Sequence, residues 1–481
     1  MKKWMGLALG IAVMMFLSGC GAVDLPVEST VGSEGEWQET AGVNTLETET
    51  SETEETEMST EVNTEATGAE GERDLLIEIP EFATKTGVSV GTYNCGDGDS
   101  EIAYEQVTYD EVVAYREGLE TAGFELYAEN RIGGNDYTTY VSDASVVRVS
   151  WYSEKELCRI VYGPKGYLPE TENPKYTKVV DPTITQIARV GAKNGAPGLS
   201  LILQLEDGSF VVIDGGGNSN GLDEKTLLEF LQEHNPTEDK PRVTWMFTHA
   251  HSDHMVCAIM FMGKYADQIN LERVYCNFPD YTTLEVVKES TEESQMLVQQ
   301  LKAVLERKYP KTEICVFHGG DKLLMPGCEI DILLTHEDFW PNEFRHINHT
   351  SSVWRMKLQG RIILILGDSV ETENAYLAEL YGDELKCDIL QTAHHGYNGG
   401  CMELYQAADP EICFWSTDQD RFETDEIILG IKKGYEFNAW LRNPTIKERM
   451  HYTASETAMI SLLEMRRVEE MEDELHGTSG Q

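Results

Sequence analysis

The chain has 481 residues, of which 41% are hydrophobic, so it can bury a sizeable core and form more than one domain. It carries 84 acidic against 38 basic residues, a formal net charge of -46. Such a charge disfavours long nucleic acids, whose phosphates bind clustered Lys and Arg, but allows a small anionic substrate beside a bound metal ion. Ten cysteines without a C-x-x-C pair favour buried thiols over a disulfide framework.

The first 19 residues have the pattern of a secretory signal. Met1-Lys2-Lys3 provides a positive start, and Gly6–Leu17 is an apolar stretch too short to cross a bilayer comfortably. Leu17-Ser18-Gly19-Cys20 resembles the bacterial lipobox, which implies cleavage before Cys20 and acylation of that cysteine. We therefore expect a lipoprotein signal peptide, and a protein anchored through lipid on Cys20 to the extracytoplasmic face of the bacterial cell membrane. The alternatives are an ordinary signal peptide with a chance cysteine, or a single membrane anchor.

Residues 20–73 are predicted to be a disordered acidic linker. Between Asp24 and Glu72 there are 15 acidic residues and no basic one, among Thr, Ser and Gly. A segment that can bury so little apolar surface does not offset the entropy of ordering its backbone. Self-repulsion would extend it into a spacer, although an acidic tail that binds a partner is the alternative.

Residues 74–165 have the pattern of a small α+β domain. Thr108 can cap a helix over Tyr109–Ala122, where apolar side chains recur at helical spacing. Alternating stretches predict strands at Phe124–Glu129, Tyr137–Val141, Val146–Tyr152 and Leu157–Tyr162. No cluster of catalytic residue types stands out here, so we interpret this domain as an accessory or binding module of unknown partner. A linker rich in Pro, Lys and Glu follows it.

Residues 183–465 mix predicted strands and helices, which favours a layered α/β domain. Helices are predicted near Glu224–His234, Leu284–Tyr309 and Glu371–Leu380. Apolar runs predict strands at Ile184–Val190, Ser200–Leu205, Ser209–Ile213, Val243–Phe247, Ile330–Leu334, Val353–Leu358, Arg361–Leu366 and Asp388–Thr392.

Four metal-ligand side chains follow one of these strands directly, in the run His249-Ala250-His251-Ser252-Asp253-His254. Two imidazoles at positions i and i+2 can converge on one metal from an extended or turning backbone. Asp253 and His254 then point elsewhere as the chain enters a helix, which provides ligands for a second metal. Imidazole and carboxylate together suit zinc, and also iron or manganese.

The pattern resembles the metallo-β-lactamase fold superfamily. The resemblance is carried by the His-x-His-x-Asp-His run after a strand and by an upstream strand that ends in Asp214-Gly215-Gly216. Three later motifs also match, namely His349-Thr350-Ser351-Ser352-Val353, Leu366-Gly367-Asp368 and Ala393-His394-His395-Gly396. The resemblance implies an αββα sandwich with the metal site at one edge of its two sheets.

Within that superfamily, the motifs resemble most the branch that contains the hydrolase domain of the competence protein ComEC, and choline-phosphate esterases are similar in style. The resemblance covers about residues 183–465. In ComEC-like sequences an Asn often stands at the position we give to His349, and Asn348 is its neighbour here.

The resemblance implies a role for each motif residue. His249, His251 and His349 would bind the first metal ion, and Asp253, His254 and His394 the second, with Asp368 between the two. His395 would contact the substrate oxyanion or protonate the leaving group, although the sequence does not decide which of His394 and His395 is the ligand. Asp253 and His395 are the expected catalytic side chains. Asp214 would form hydrogen bonds around the His-rich loop.

The expected cofactors are two divalent metal ions, Zn2+ in the first instance and Mn2+ or Fe2+ as alternatives, which together activate water at neutral pH. We expect a surface-anchored hydrolase of phosphodiester-type or related small esters from the envelope. A nuclease related to the ComEC domain is an alternative, which the acidic charge argues against. A lactonase or β-lactamase fits Asp253 and the His-His-Gly motif less well, and a non-catalytic binding lipoprotein is the alternative from another class.

Overall fold

The computed structural model describes residues 79–188, 198–217, 223–424, 435–468 and 470–471. These residues belong to one compact unit, Ile77–Gln481. The predicted signal peptide and acidic linker lie outside the described residues and stay predictions. Within the described part of the chain, none of the helices has the length and apolarity needed to span a bilayer.

The N-terminal part forms an antiparallel six-stranded sheet, which we call the accessory sheet, in the order β1-β2-β6-β5-β4-β3. Helix α1 packs against one face of this sheet and begins with the predicted capping box of Thr108 and Glu111. The elements are α1 (Tyr109–Thr121), β1 (Val88–Gly96), β2 (Asp99–Glu105), β3 (Glu125–Ile132), β4 (Asn135–Val141), β5 (Ser145–Tyr152) and β6 (Leu157–Pro164). Four of the six strands lie where the sequence predicts them, and the first two were not predicted.

The C-terminal part contains two mixed sheets. The first has the order β12-β11-β10-β9-β8-β7-β20-β21 and the second β13-β14-β15-β16-β17-β18-β19. The strands of the first are β7 (Thr183–Gln186), β8 (Ser200–Gln204), β9 (Phe210–Asp214), β10 (Arg242–Met246), β11 (Asn270–Cys276), β12 (Glu313–Val316), β20 (Ala458–Ser461) and β21 (Arg466–Arg467). Those of the second are β13 (Lys322–Met325), β14 (Cys328–Leu334), β15 (Val353–Leu358), β16 (Arg361–Ile365), β17 (Ile389–Gln391), β18 (Ile412–Trp415) and β19 (Met450–Thr453).

The two sheets pack face to face around one apolar core. Leu203 and Ile213 of the first sheet and Met356 and Ile365 of the second are fully buried in this core. Helices cover the outer faces; their bounds are α2 (Asp223–Glu233), α3 (Ser252–Lys264), α4 (Glu292–Lys308), α5 (His336–Phe339), α6 (Glu371–Tyr381), α7 (Met402–Ala408), α8 (Gln419–Phe422) and α9 (Glu436–Arg442). The predicted αββα sandwich is therefore confirmed by the layering itself.

One predicted helix, Leu284–Tyr309, begins later than expected, at Glu292. The preceding residues are held in an irregular loop because their backbone bonds to a second loop: Val287 N donates to Phe344 O, and Lys288 N donates to Arg345 O, both at 3.0 Å. These bonds replace the first turns of the predicted helix, and they bring the loop to the metal centre described below.

Buried polar side chains join the accessory sheet to the sandwich. Arg159 of β6 forms an ion pair with Glu101 of β2, and it donates hydrogen bonds to the carbonyl oxygens of Glu337, Asp338 and Trp340 at 2.6–3.0 Å. Both charged side chains are at most 5% exposed, so the pair depends on these additional partners for stability. Whether residues 74–165 and 183–465 are separate folding domains stays a prediction.

The cysteines of the described residues are buried and form no disulfide with one another, as the sequence predicts. They are Cys95, Cys158, Cys257, Cys276, Cys315, Cys328, Cys387, Cys401 and Cys413.

A buried histidine between the accessory sheet and the sandwich predicts how stability depends on pH. Burial and the Arg148 guanidinium lower the pKa of His318, but Glu337 at 2.9 Å and Asp99 at 3.2 Å outweigh them and raise it to about 9. Because this pKa lies above the unfolded value of about 6.5, the stabilisation is complete below pH 6.5 and is lost as pH rises through about 9.

We therefore expect the stability difference between the wild type and His318→Gln to shrink by a few kcal/mol from pH 6.5 to pH 9, at about 1.4 kcal/mol per pKa unit. Urea unfolding at both pH values measures it. A difference that does not change with pH would contradict the assignment.

Candidate metal centre

The His-rich run lies where strand β10 ends and helix α3 begins. His251 has extended backbone angles (φ -102°, ψ 156°) and stands immediately before the helix. His249 and His251 therefore belong to the extended segment, whereas Asp253 and His254 lie in the first helical turn. This change of backbone conformation makes the four side chains point in two directions, as the spacing predicts.

The first ligand group consists of His249, His251 and Asp368, whose ligand atoms lie within 4.8 Å of one another. His249 Nε2 lies 3.0 Å from His251 Nδ1 and 3.9 Å from Asp368 Oδ2. The hydroxyl of Thr248 lies 3.1 Å from His249 Nδ1, so the Nε2 atom of His249 is the one that faces the group.

The second ligand group consists of Asp253, His254, Asp368 and His395. His395 Nε2 lies 3.2 Å from Asp253 Oδ2 and 3.1 Å from Asp368 Oδ2. His254 Nε2 lies 3.2 Å from Asp368 Oδ1. Asp368 therefore belongs to both groups, as expected for a carboxylate that bridges two cations.

Asp368 follows strand β16 and is held from two sides. Its backbone N donates to Ser351 Oγ at 3.2 Å, and the preceding Gly367 donates its N–H to Gln391 Oε1 at 2.8 Å. Gly367 has a positive φ of 54°, and a side chain there would meet Thr248 at 2.9 Å. Only glycine thus brings Asp368 this close to the His-rich loop.

The two histidines after strand β17 point to different places. Both have left-handed backbone angles, with φ of 48° at His394 and 57° at His395. The turn buries His395 in the second ligand group, whereas the His394 side chain is 27% exposed and its Nε2 lies 3.2 Å from Asn348 Nδ2. The geometry thus favours His395 in the ligand position that the sequence analysis gave to His394.

His349 lies outside both ligand groups. Its Nδ1 donates to the buried carboxylate of Glu373, and its ring stacks on Phe339 with ring centroids 4.8 Å apart. The neighbouring Asn348 reaches His394 instead. A carboxylate on Nδ1 leaves Nε2 of His349 available to a metal ion, so the ligand role of His349 stays a prediction.

Asp214 has the supporting role that the sequence predicts. Its Oδ2 accepts hydrogen bonds from His254 Nδ1 at 2.7 Å and from the Thr248 hydroxyl at 2.8 Å, and its Oδ1 accepts one from Thr248 N at 2.8 Å. A carboxylate on Nδ1 leaves Nε2 of His254 as the atom that faces the second ligand group.

Glu289 also contacts the centre, and sequence reasoning missed it. Its Oε1 lies 3.4 Å from His251 Nε2, and its Oε2 accepts a hydrogen bond from Ile347 N at 3.0 Å. Burial raises the pKa of Glu289, but His251, Ile347 N and His346 outweigh it and lower the pKa to about 2. The sequence predicts a helix at this residue. In the structure Glu289 lies in the loop between β11 and α4, and this loop brings its side chain to His251.

The charges of the centre fit a bound cation. Burial raises the pKa of Asp368, but His254 and His395 outweigh it and hold the pKa well below its usual range. Burial lowers the pKa of His249, and the nearby His254 and His251 lower it further. Asp368 Oδ1 is buried and makes no hydrogen bond within the described part of the chain. Carboxylate oxygen together with imidazole nitrogen suits zinc, iron or manganese.

No family model matches the chain, and no curated protein matches it. Several solved structures are similar to it. The metallo-β-lactamase fold protein YhfI from Bacillus subtilis is 12% identical, with 58% of this chain and 100% of that chain covered and a TM-score of 0.36. Zn2+-bound PqqB from Methylobacterium extorquens is 9% identical, with coverage of 58% and 100% and a TM-score of 0.34.

A third similar structure is CmlA, a diiron β-hydroxylase from Streptomyces venezuelae. It is 13% identical and has a TM-score of 0.33; 63% of this chain and 55% of that one are covered, so the match spans about half of CmlA. With TM-scores below 0.5, these likenesses add no weight to the assignment. The αββα layering and the two ligand groups that share Asp368 characterise the protein as an α/β sandwich with a candidate two-metal centre.

Asp214→Asn tests the support beneath the ligands. The amide cannot accept hydrogen bonds from Thr248 and His254 as the carboxylate does, so we expect zinc affinity to fall by about 10–100-fold. Chelator competition measures the affinity. Asp207→Asn is the matched control, because Asp207 lies in the hairpin turn just before β9 and bonds to Ser209 and Arg242. Equal affinity in the two variants would contradict the role of Asp214.

The pair His394→Ala and His395→Ala distinguishes the two histidines. Because only His395 lies in a ligand group, we expect its loss to remove one of two zinc equivalents, whereas His394→Ala keeps both. Elemental analysis of the purified variants gives the stoichiometry. Loss of zinc from the His394 variant alone would reverse the assignment.

Proposed function

We propose that the protein is a binuclear metal-dependent hydrolase of the metallo-β-lactamase superfamily. The observation that carries this proposal is the position of Asp368, whose carboxylate belongs to two separate ligand groups at one edge of the sandwich. Six of the eight predicted site residues meet there, namely His249, His251, Asp253, His254, Asp368 and His395.

Two divalent cations held there would lower the pKa of water and stabilise a developing oxyanion and leaving oxygen. The side chains of the chain would provide the rest. Asp214 and Glu289 orient two of the imidazoles, and Asp253 lies against His395. His394 is partly exposed beside the ligands and is supported by Asn348, so it takes the role of contacting the substrate or protonating the leaving group.

We propose a small ester of the phosphodiester type as the substrate. A positively charged side chain near the centre supports an anionic substrate. The Arg421 guanidinium lies 4.2 Å from the centroid of the Tyr397 ring, and that centroid lies 5.7 Å from the centroid of the His394 ring. Among the described residues, Arg421 has no carboxylate within ion-pair distance of its side chain. The net charge of -46 disfavours long nucleic acids over small esters.

The proposed location is the extracytoplasmic face of the bacterial membrane, with lipid on Cys20. It is supported by the sequence of residues 1–20. Mass spectrometry of the mature N-terminus tests it, and an unmodified Cys20 would refute the anchor without affecting the hydrolase.

A substrate panel tests the reaction class. We expect the zinc-loaded protein to hydrolyse bis-p-nitrophenyl phosphate or p-nitrophenylphosphorylcholine in preference to single-stranded DNA or a lactone. His251→Ala and Asp368→Ala should each lower kcat at least about a hundredfold, because each removes an expected ligand from the shared centre.

The matched control is His234→Ala, whose histidine follows the end of α2 and whose ring Nδ1 bonds to Phe230 O in that helix. Activity that survives both His251→Ala and Asp368→Ala would refute the site. Preferential cleavage of single-stranded DNA would make the nuclease alternative the better one.

A further inference from the structure

A second concave site lies away from the metal centre, between the accessory sheet and the sandwich. It is a cleft of about 300 Å3. One wall is the face of β3, β4 and β5 opposite helix α1, and the other is the loop between β12 and β13. We propose that this cleft binds a small organic or inorganic oxyanion, held by the guanidinium of Arg148.

The Arg148 side chain is buried and has few partners. It is only 6% exposed, and its one ion-pair partner among the described residues is Asp321, at a long 3.4 Å from Nε. Its two Nη atoms make no hydrogen bond to any residue that the structure describes. A buried guanidinium normally satisfies its planar fork of donors with carboxylate or carbonyl oxygens, as Arg159 does in the neighbouring strand.

The surroundings of Arg148 are polar as well. Thr139 lies directly opposite Arg148 in the ladder between β4 and β5, and Ser150 lies two residues along the same face. Both residues are 8% exposed and line the cleft, and neither hydroxyl has a hydrogen-bond partner among the described residues. Three buried side chains therefore direct donors into one space, which suits the two or three oxygens of a carboxylate or phosphate.

The loop that forms the opposite wall is attached to the accessory sheet. Gly320 has a positive φ of 87°, and a side chain there would meet the Tyr137 ring at 2.0 Å. Asn130 Nδ2 donates to Gly320 O at 3.0 Å and to Asp331 Oδ1 at 3.1 Å. The loop is thus attached to the sheet on one side of the cleft, and the space around Arg148 remains between them.

The cleft shares no lining residue with the two ligand groups. Its size matches the lower end of small-molecule sites, and its place between two packed layers is typical of them. Three carboxylates also line the cleft. Glu129 and Glu170 belong to exposed residues, and Glu170 pairs with Arg273 at 3.2 Å, whereas Asp321 is buried and forms the ion pair with Arg148. At the buried end, Asp321 offsets the charge of Arg148 through Nε, and the two Nη atoms of Arg148 remain as donors toward the cleft.

Isothermal titration of the full chain with succinate, and separately with inorganic phosphate, tests the site. We expect saturable binding of at least one probe, weakened at least tenfold in Arg148→Met. Thr139→Leu should weaken it similarly, because the larger side chain fills the space opposite Arg148 and leaves the pair with Asp321 intact. Arg131→Met is the matched control, since Arg131 lies on the same sheet with a 75% exposed side chain.

The same titrations in His251→Ala separate this cleft from the metal centre. Binding that persists in His251→Ala but is lost in both cleft variants supports the proposal, and the probe that binds identifies the oxyanion as carboxylate or phosphate. Binding that is lost in His251→Ala and unchanged in Arg148→Met and Thr139→Leu would assign the anion to the metal centre and overturn the proposal. Absence of saturable binding by either probe to the wild type would also overturn it.

Discussion

The buried carboxylate of Asp214 is the interaction on which the metal centre depends. It lies at the end of β9 with a left-handed φ of 54°, fully buried, and it accepts hydrogen bonds from the backbone and side chain of Thr248 and from His254. A buried carboxylate is stable only when such partners satisfy it. The bonds therefore fix the start of the His-rich loop and the ring of His254 together, and the remaining ligands of that loop follow from the backbone between them.

The sequence predicts those parts of the metal centre whose geometry depends only on residues close together in the chain. The run His249 to His254 is short, and the transition from strand to helix within it determines where each side chain points. His394 and His395 are different, because their directions depend on two consecutive left-handed residues and on Gly396, where a side chain would meet Trp415 at 2.4 Å. No periodic pattern encodes such a turn. Glu289 was missed for a similar reason, since its loop is held by backbone bonds to residues 344 and 345 and by the bond from Ile347 N to the Glu289 side chain.

The accessory sheet also has features that the sequence pattern does not predict. Strands β4, β5 and β6 pair with one another without a register shift and could be predicted, whereas β1 has register shifts at Ser89/Gly91 and Asn94/Gly96 that interrupt its alternation. On β5, Val147 and Val149 pack in the apolar core beneath helix α1, and Arg148 between them faces the sandwich. From the sequence, such a polar position reads as exposed to solvent. It is buried because partners more than a hundred residues away cover it.

The polar face of the accessory sheet also holds the segment of residues 337–340 in the sandwich. Arg159 binds the carbonyl oxygens of residues 337–340, and Tyr93 stacks on Trp340 with ring centroids 5.6 Å apart. Phe339 lies in the same segment and stacks on His349, whose Nδ1 binds Glu373. The accessory sheet and the sandwich are thus linked through packed side chains. The link includes backbone carbonyl oxygens of residues 337–340, because the buried guanidinium of Arg159 needs hydrogen-bond acceptors. The ring of His349 is therefore held on one side by a segment that the accessory sheet binds and on the other by Glu373.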